Sequence, residues 1–165
     1  MSRAGTLIDG PQFARDRGVV SGTLDIEALP RLAASGSRTA RHRYSVSGGA
    51  NAQGRPCLTI EVTGPVSLVC QRCLGALDSA VEVDVALELA ESERAIAAAD
   101  DDVDRVLASR AMGVAELVED EVLLALPMAP MHERCEAGAD ARAAQQRAGP
   151  FAALARLRRS GGGGG

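Results

Sequence analysis

Two short spacings gather the soft donors of this chain: Cys70-Gln71-Arg72-Cys73 and, far downstream, His132-Glu133-Arg134-Cys135. Two residues between donors let both reach one ion, and three thiolates with one imidazole suit the tetrahedral preference of zinc. A Cys70/Cys73/His132/Cys135 set would be structural rather than catalytic, because four protein ligands leave no open position for substrate. Two other readings compete for the same thiols. A thioredoxin-type redox pair sits at a helix N-terminus, whose dipole stabilises the thiolate, whereas strand patterns lie on both sides of this turn. The plainest alternative makes the thiols small buried hydrophobes near the end of a sheet, as Cys57 reads in mid-strand. His42 alternates with arginines and reads as surface or core rather than ligand. Gly75 offers a position able to take positive φ beside the Cys turn.

Little else in the chain does chemistry. There is no Ser-His-Asp set, phosphate loop or His-Glu-x-x-His, and with only 2 histidines the chain is not expected to be an enzyme or to take a small-molecule substrate. All 18 basic residues are arginine, so Schiff-base chemistry and a P-loop lysine are excluded. Aromatics at 2% provide no stacking platform for bases, and a net charge of -4 argues against phosphate binding over the whole surface. A local basic face is another matter: Arg41 and Arg43 share one strand face, and Arg156, Arg158 and Arg159 cluster in the tail. These five are the candidates for contact with RNA or a partner. The run Asp100-Asp101-Asp102 reads as a solvated loop, since no bidentate Glu or turn glycine gives it a calcium-loop pattern. No window approaches a membrane span and the N-terminus lacks the apolar core of a signal peptide, so the protein is expected in the cytoplasm, where thiols stay reduced.

The donors must be positioned by a modest aliphatic core, for which 46% hydrophobic content is sufficient. Residues 1–17 read as a loosely docked lead-in, and a strand follows over 18–24. A helix is expected over Ile26 to Ala34 despite Pro30. From Ser37 to Ser47, Arg41, Arg43 and Ser45 alternate with His42, Tyr44 and Val46, giving a strand with a charged face. The β-branched run 56–63, a turn at Gly64-Pro65 and a short strand 66–69 lead into the Cys turn. Strict alternation then makes Ala80 to Ala90 a half-buried strand, with Glu82, Asp84, Ala86 and Glu88 outward. A helix from Val114 to Leu126, stopped by Pro127, should clasp the sheet, its last turn buried on several sides and Glu119-Asp120-Glu121 solvated. Short Gly/Pro turns cannot hold parallel crossovers, so the expected fold is α+β: a mostly antiparallel, barrel-like or open sheet of about five strands with one packed amphipathic helix. Residues 1–135 form that domain. Residues 136–165 read as a linker, a short basic amphipathic C-terminal helix carrying Phe151, Leu154 and Leu157, and a disordered glycine tail.

In chain order, Cys70-Gln71-Arg72-Cys73 after a strand, the run from Leu117 to His132 with Cys135 beyond it, and Pro150-Phe151-Ala152-Ala153-Leu154-Ala155-Arg156-Leu157 resemble the YceD family, the large ribosomal RNA subunit accumulation proteins. The resemblance is specific from about Gly64 to Arg158. Two departures stand out: Gly113 where an acid commonly caps the helix, and an Ala/Asp-rich loop over 91–104. The resemblance implies a bacterial ribosome-biogenesis factor that supports synthesis, processing or stability of large-subunit ribosomal RNA without enzymatic activity, its partner that RNA or a ribosomal protein. A zinc-stabilised interaction module without RNA contact is the alternative, and a thiol oxidoreductase the remaining rival.

Overall fold

The structure, a computed structural model, describes residues 5–37, 41–98 and 103–135. In chain order its elements are β1 (Leu7–Ile8), α1 (Gly10–Arg15), β2 (Val19–Asp25), a 3-10 turn (Ile26–Ala28), α2 (Pro30–Ala34), β3 (Arg41–Ala50), β4 (Pro56–Val69), β5 (Ala76–Ala90), α3 (Glu93–Ala97), β6 (Arg105–Leu107), β7 (Met112–Gly113) and α4 (Val114–Ala125). The main sheet has five strands in the order β2-β3-β4-β5-β6, antiparallel throughout except for the β5–β6 pair, so the fold is α+β with a mostly antiparallel sheet. The antiparallel part follows from sequential hairpins. The parallel strand needs a crossover, and the 91–104 segment, which includes α3, supplies it.

Period-two patterning decides which face is buried. On β3, His42, Tyr44 and Val46 are buried while Arg41 and Arg43 point outward, as the alternation requires. α4 lays Val114, Leu117, Val118 and Val122 over Leu58, Ile60 and Val62 of β4 and their neighbours on β5. Removing each such large aliphatic side chain from water contributes about 1.5–3 kcal/mol. Cys57 is buried on the opposite face of β4, where it stands opposite Glu88 of β5, and burial pushes its thiol up.

Several local expectations fail for identifiable reasons. The lead-in is docked: β1 pairs with β7, Ile8 and Ala14 are buried, and α1 lies so close to β3 that a Cβ on Gly48 would stand 2.3 Å from the Phe13 carbonyl oxygen. Pro30 divides the predicted Ile26–Ala34 helix, and α2 starts at the proline because a first helical position needs no N–H. Gly64-Pro65 is no turn but the interior of β4. The β3 ladder on that side ends at Arg43 opposite Thr63, so Pro65 has no N–H to supply, and Gly64 leaves room for the His42 ring.

Two acids expected in solvent are buried. Glu88 accepts hydrogen bonds from Arg55 Nη1 (2.9 Å), Arg105 Nε (3.0 Å) and Asn51 Nδ2 (2.9 Å), and the guanidinium groups of Arg55 and Arg105 hold its carboxyl below the usual range. Glu119, 2% exposed, reaches across to α2, where its Oε1 accepts the backbone N–H groups of Arg31 (2.7 Å) and Leu32 (3.0 Å). Conversely, the last turn of α4 is not buried all round: Leu124 is 78% exposed. The predicted tail helix, and the whole 136–165 segment, lie outside the described residues.

Candidate metal centre

The tip of the β4–β5 hairpin is the turn 70–75, closed where the Cys70 N–H donates to the Gly75 carbonyl (2.9 Å) and the Leu74 N–H to the Cys70 carbonyl (2.8 Å). The left-handed position is Leu74, at φ 61°, and not Gly75. After α4, Pro127 diverts the chain across this tip. The Gln71 N–H donates to the Pro130 carbonyl (2.8 Å), and the His132 N–H points at Cys70 Sγ (3.4 Å). Arg72 completes the clamp, donating through Nη2 to the His132 carbonyl (2.7 Å) and through Nε to Cys135 Sγ (3.0 Å).

The result is convergence of Cys70, Cys73, His132 and Cys135, whose donor atoms all lie within 4.8 Å of one another. Cys70 and Cys135 sulfurs are 3.7 Å apart, too far for a disulfide. Cys73 Sγ is 3.4 Å from His132 Nδ1, and Cys135 Sγ is 4.0 Å from it. A tetrahedral zinc with metal–sulfur bonds near 2.3 Å places its sulfurs about 3.7 Å apart, so the cluster has the dimensions of a structural metal site. The imidazole is suitably oriented: Nε2 stands 3.0 Å from the Ala76 carbonyl, an arrangement that puts the proton there and leaves Nδ1 a lone pair for the cluster.

The local electrostatics favour thiolate at Cys70. Burial pushes the Cys70 thiol up, but hydrogen bonds from the Cys73, His132 and Arg72 backbone outweigh it and lower the thiol to about 5. At Cys73 the Gly75 backbone likewise lowers the thiol, but burial and the neighbouring Cys70 and Cys135 sulfurs outweigh it and leave that thiol raised. Cys135 in turn raises Arg72. Three thiolates and a dication would leave one negative charge, and the Arg72 guanidinium is placed to offset it. Arg72 is the residue that the sequence reading missed. Its signal was a cation enclosed between two ligands. A redox role fits the geometry poorly, because Cys70 has no accessible surface through which another thiol could attack.

Of the other candidate residues, Arg41 and Arg43 are not brought to this cluster. Arg41 and Arg43 project from the outer face of β3, and Arg41 Nε pairs with Asp25 Oδ1 at 3.1 Å. Arg156, Arg158 and Arg159 lie outside the described residues. Among the described residues no helix is long and apolar enough to cross a membrane. A family model described as large ribosomal RNA subunit accumulation protein YceD matches residues 58–158, a span that takes in all four donors. No curated protein and no solved structure gives a match.

Proposed function

The chain belongs to the YceD family, and from that premise we propose that it is a non-enzymatic ribosome-biogenesis factor whose 1–135 domain is a zinc-stabilised module that docks a basic ribosomal protein, with 136–165 as an appended arm. The observation that carries this reading is the convergence of Cys70, Cys73, His132 and Cys135 within 4.8 Å. Zinc held there would tie the hairpin tip to the segment after α4, and its binding free energy would be folding free energy. The choice of a basic protein partner rests on the outer sheet face. Exposed Glu61 and Asp84 stand directly opposite each other on β4 and β5, with exposed Glu82 beside them. Like charges in such a pair are destabilising until a cation is brought to them. A bacterial cytoplasm, where thiols stay reduced, suits the three cysteines.

Direct contact with large-subunit ribosomal RNA is the second reading, supported by the outward pair Arg41 and Arg43 on β3. Phosphate contact by these and by Arg156, Arg158 and Arg159 would make RNA binding fall steeply with salt, and neutralising all five would flatten that slope. A slope unchanged by the substitutions removes this reading.

The main proposal is tested on protein purified without chelator. Mass spectrometry should find about one zinc per chain, and Cys73→Ser should lower both occupancy and melting temperature. In a strain lacking the protein, large-subunit RNA should fall selectively and Cys73→Ser should fail to restore it. Substoichiometric zinc, or full rescue by Cys73→Ser, would overturn the module.

A further inference from the structure

A groove of about 570 Å³ runs between the C-terminal half of α4 and the edge strand β6. Its floor is apolar, formed by Leu87, Val106, Leu117, Leu123 and Leu124, and its rim carries Asp104, Asp120 and Glu121 alongside Arg105, which is itself paired with the buried Glu88. Among the described residues neither feature is fully matched. Leu124 is 78% exposed in a helix turn whose sequence is apolar on every side. Asp120 shares Arg31, but Asp104 and Glu121 have no ion pair among the described residues. Glu121 is partly buried, and that burial, with the charges of Asp104 and Asp120, pushes its carboxyl up. Apolar floor and a rim on which Asp104 and Glu121 have no ion pair among the described residues together specify a short amphipathic segment with basic flanks.

The chain contains one. From Pro150 to Arg159, Phe151, Leu154 and Leu157 recur every third residue, and Arg156, Arg158 and Arg159 flank them. Ten residues are too few for a stable isolated helix in water, so such a stripe requires a surface. The described chain ends at Cys135, and residues 136–149 can span up to roughly 45 Å when extended. A domain of this size is only roughly 35 Å across, so the groove is within reach.

We propose that residues 150–159 dock as a helix in the α4–β6 groove of the same chain, with Phe151, Leu154 and Leu157 covering Leu123 and Leu124 and the tail arginines meeting Asp104, Asp120 and Glu121. This interaction is independent of zinc at the hairpin tip. It also means that the tail arginines are already engaged by carboxylates, so a basic partner or a phosphate backbone must compete for one side of the contact.

The test uses the full chain and its amide NMR spectrum. The double variant Leu154→Asp/Leu157→Asp changes no residue of the described domain. It should shift the amides of Leu87, Val106, Leu123 and Leu124 and abolish hydrogen-exchange protection over 152–157. Glu121→Arg should weaken docking, and Arg158→Glu added to it should restore protection. Shifts confined to residues 136–165 would overturn the proposal and leave the groove to a partner's segment. Groove shifts that appear only as protein concentration rises would overturn it in favour of a second copy's tail.

Discussion

Replacing Glu119 with alanine removes a helix cap supplied from a distant part of the chain. α2 begins with Pro30, which has no N–H, and its N-cap Leu29 has no side chain able to accept a hydrogen bond. The first two N–H groups, those of Arg31 and Leu32, therefore depend on Glu119 Oε1. The Leu32 group is buried, and leaving a buried donor unsatisfied costs about 1–3 kcal/mol. Loss of a capping acceptor costs about 0.5–2 kcal/mol by itself. The two estimates describe largely the same loss and do not add, so Glu119→Ala should destabilise by about 1–3 kcal/mol. The ion pair with Arg31 adds little, because the Arg31 side chain is 52% exposed. Glu119→Gln separates the two effects: its amide oxygen can still accept from both N–H groups, so it should retain most of the lost stability. Urea unfolding measures this directly, as a lower midpoint at unchanged m-value. If glutamine proves as damaging as alanine, charge and not capping is what Glu119 contributes, and the reasoning fails.

Three further substitutions probe other local constraints. Gly48→Ala forces a Cβ against the Phe13 and Ala14 backbone, so it should cost about 1–3 kcal/mol by thermal unfolding, whereas Gly49→Ala meets nothing within 4 Å and serves as the control. Leu74→Gly relieves a left-handed residue and should stabilise by up to about 1 kcal/mol, while Leu74→Val should destabilise; a loss with glycine would show that the exposed Leu74 side chain makes a contact of its own. His42 is fully buried, its ring nitrogens have no partner at hydrogen-bonding geometry among the described residues, and burial lowers its pKa against the smaller opposing influence of the nearby Pro65 backbone. The unfolded chain then takes up a proton near pH 6.5 that the folded chain resists, so stability is complete above about pH 6.5 and declines as pH falls toward the folded pKa. Urea unfolding at a series of pH values should show a shallower decline for His42→Leu than for the unsubstituted protein, and identical slopes would count against the assignment.

What was legible in the sequence divides along physical lines. Alternation over residues 80–90 and at Arg41-His42-Arg43-Tyr44 specified strands and their buried faces, because period two is a local signal that burial amplifies. Gly64-Pro65 carried an equally local turn signal and misled, since only the length of the neighbouring β3 ladder tells whether a proline N–H is missed. The two-residue strands β1 and β7 and the parallel β6 are too short to leave a pattern. Glu119 and Glu88 looked like solvated acids because their partners, Arg31 on one side and Arg55 and Arg105 on the other, are named by tertiary structure alone. At the candidate metal centre the four donors announced themselves by residue type and spacing. Their meeting did not, for it depends on Pro127 turning the chain and on Gln71 and Arg72 holding it there.

The long reach of that clamp has a consequence for the order in which the molecule is made. Hairpins β2–β3, β3–β4 and β4–β5 join neighbouring stretches of chain and can close as each leaves the ribosome, with small loop-closure cost. Cys70 and Cys73 must wait until Cys135 has been synthesised, and Arg31 waits for Glu119 in the same way. The sheet should therefore form first and stand as one cooperative unit, with α4 and the segment to Cys135 latching onto it last. On the proposal that the cluster holds zinc, a shortage of the metal during synthesis would leave a chain with an assembled sheet and an open flank, in which opening of the 114–135 segment is separable by hydrogen exchange from unfolding of the strands.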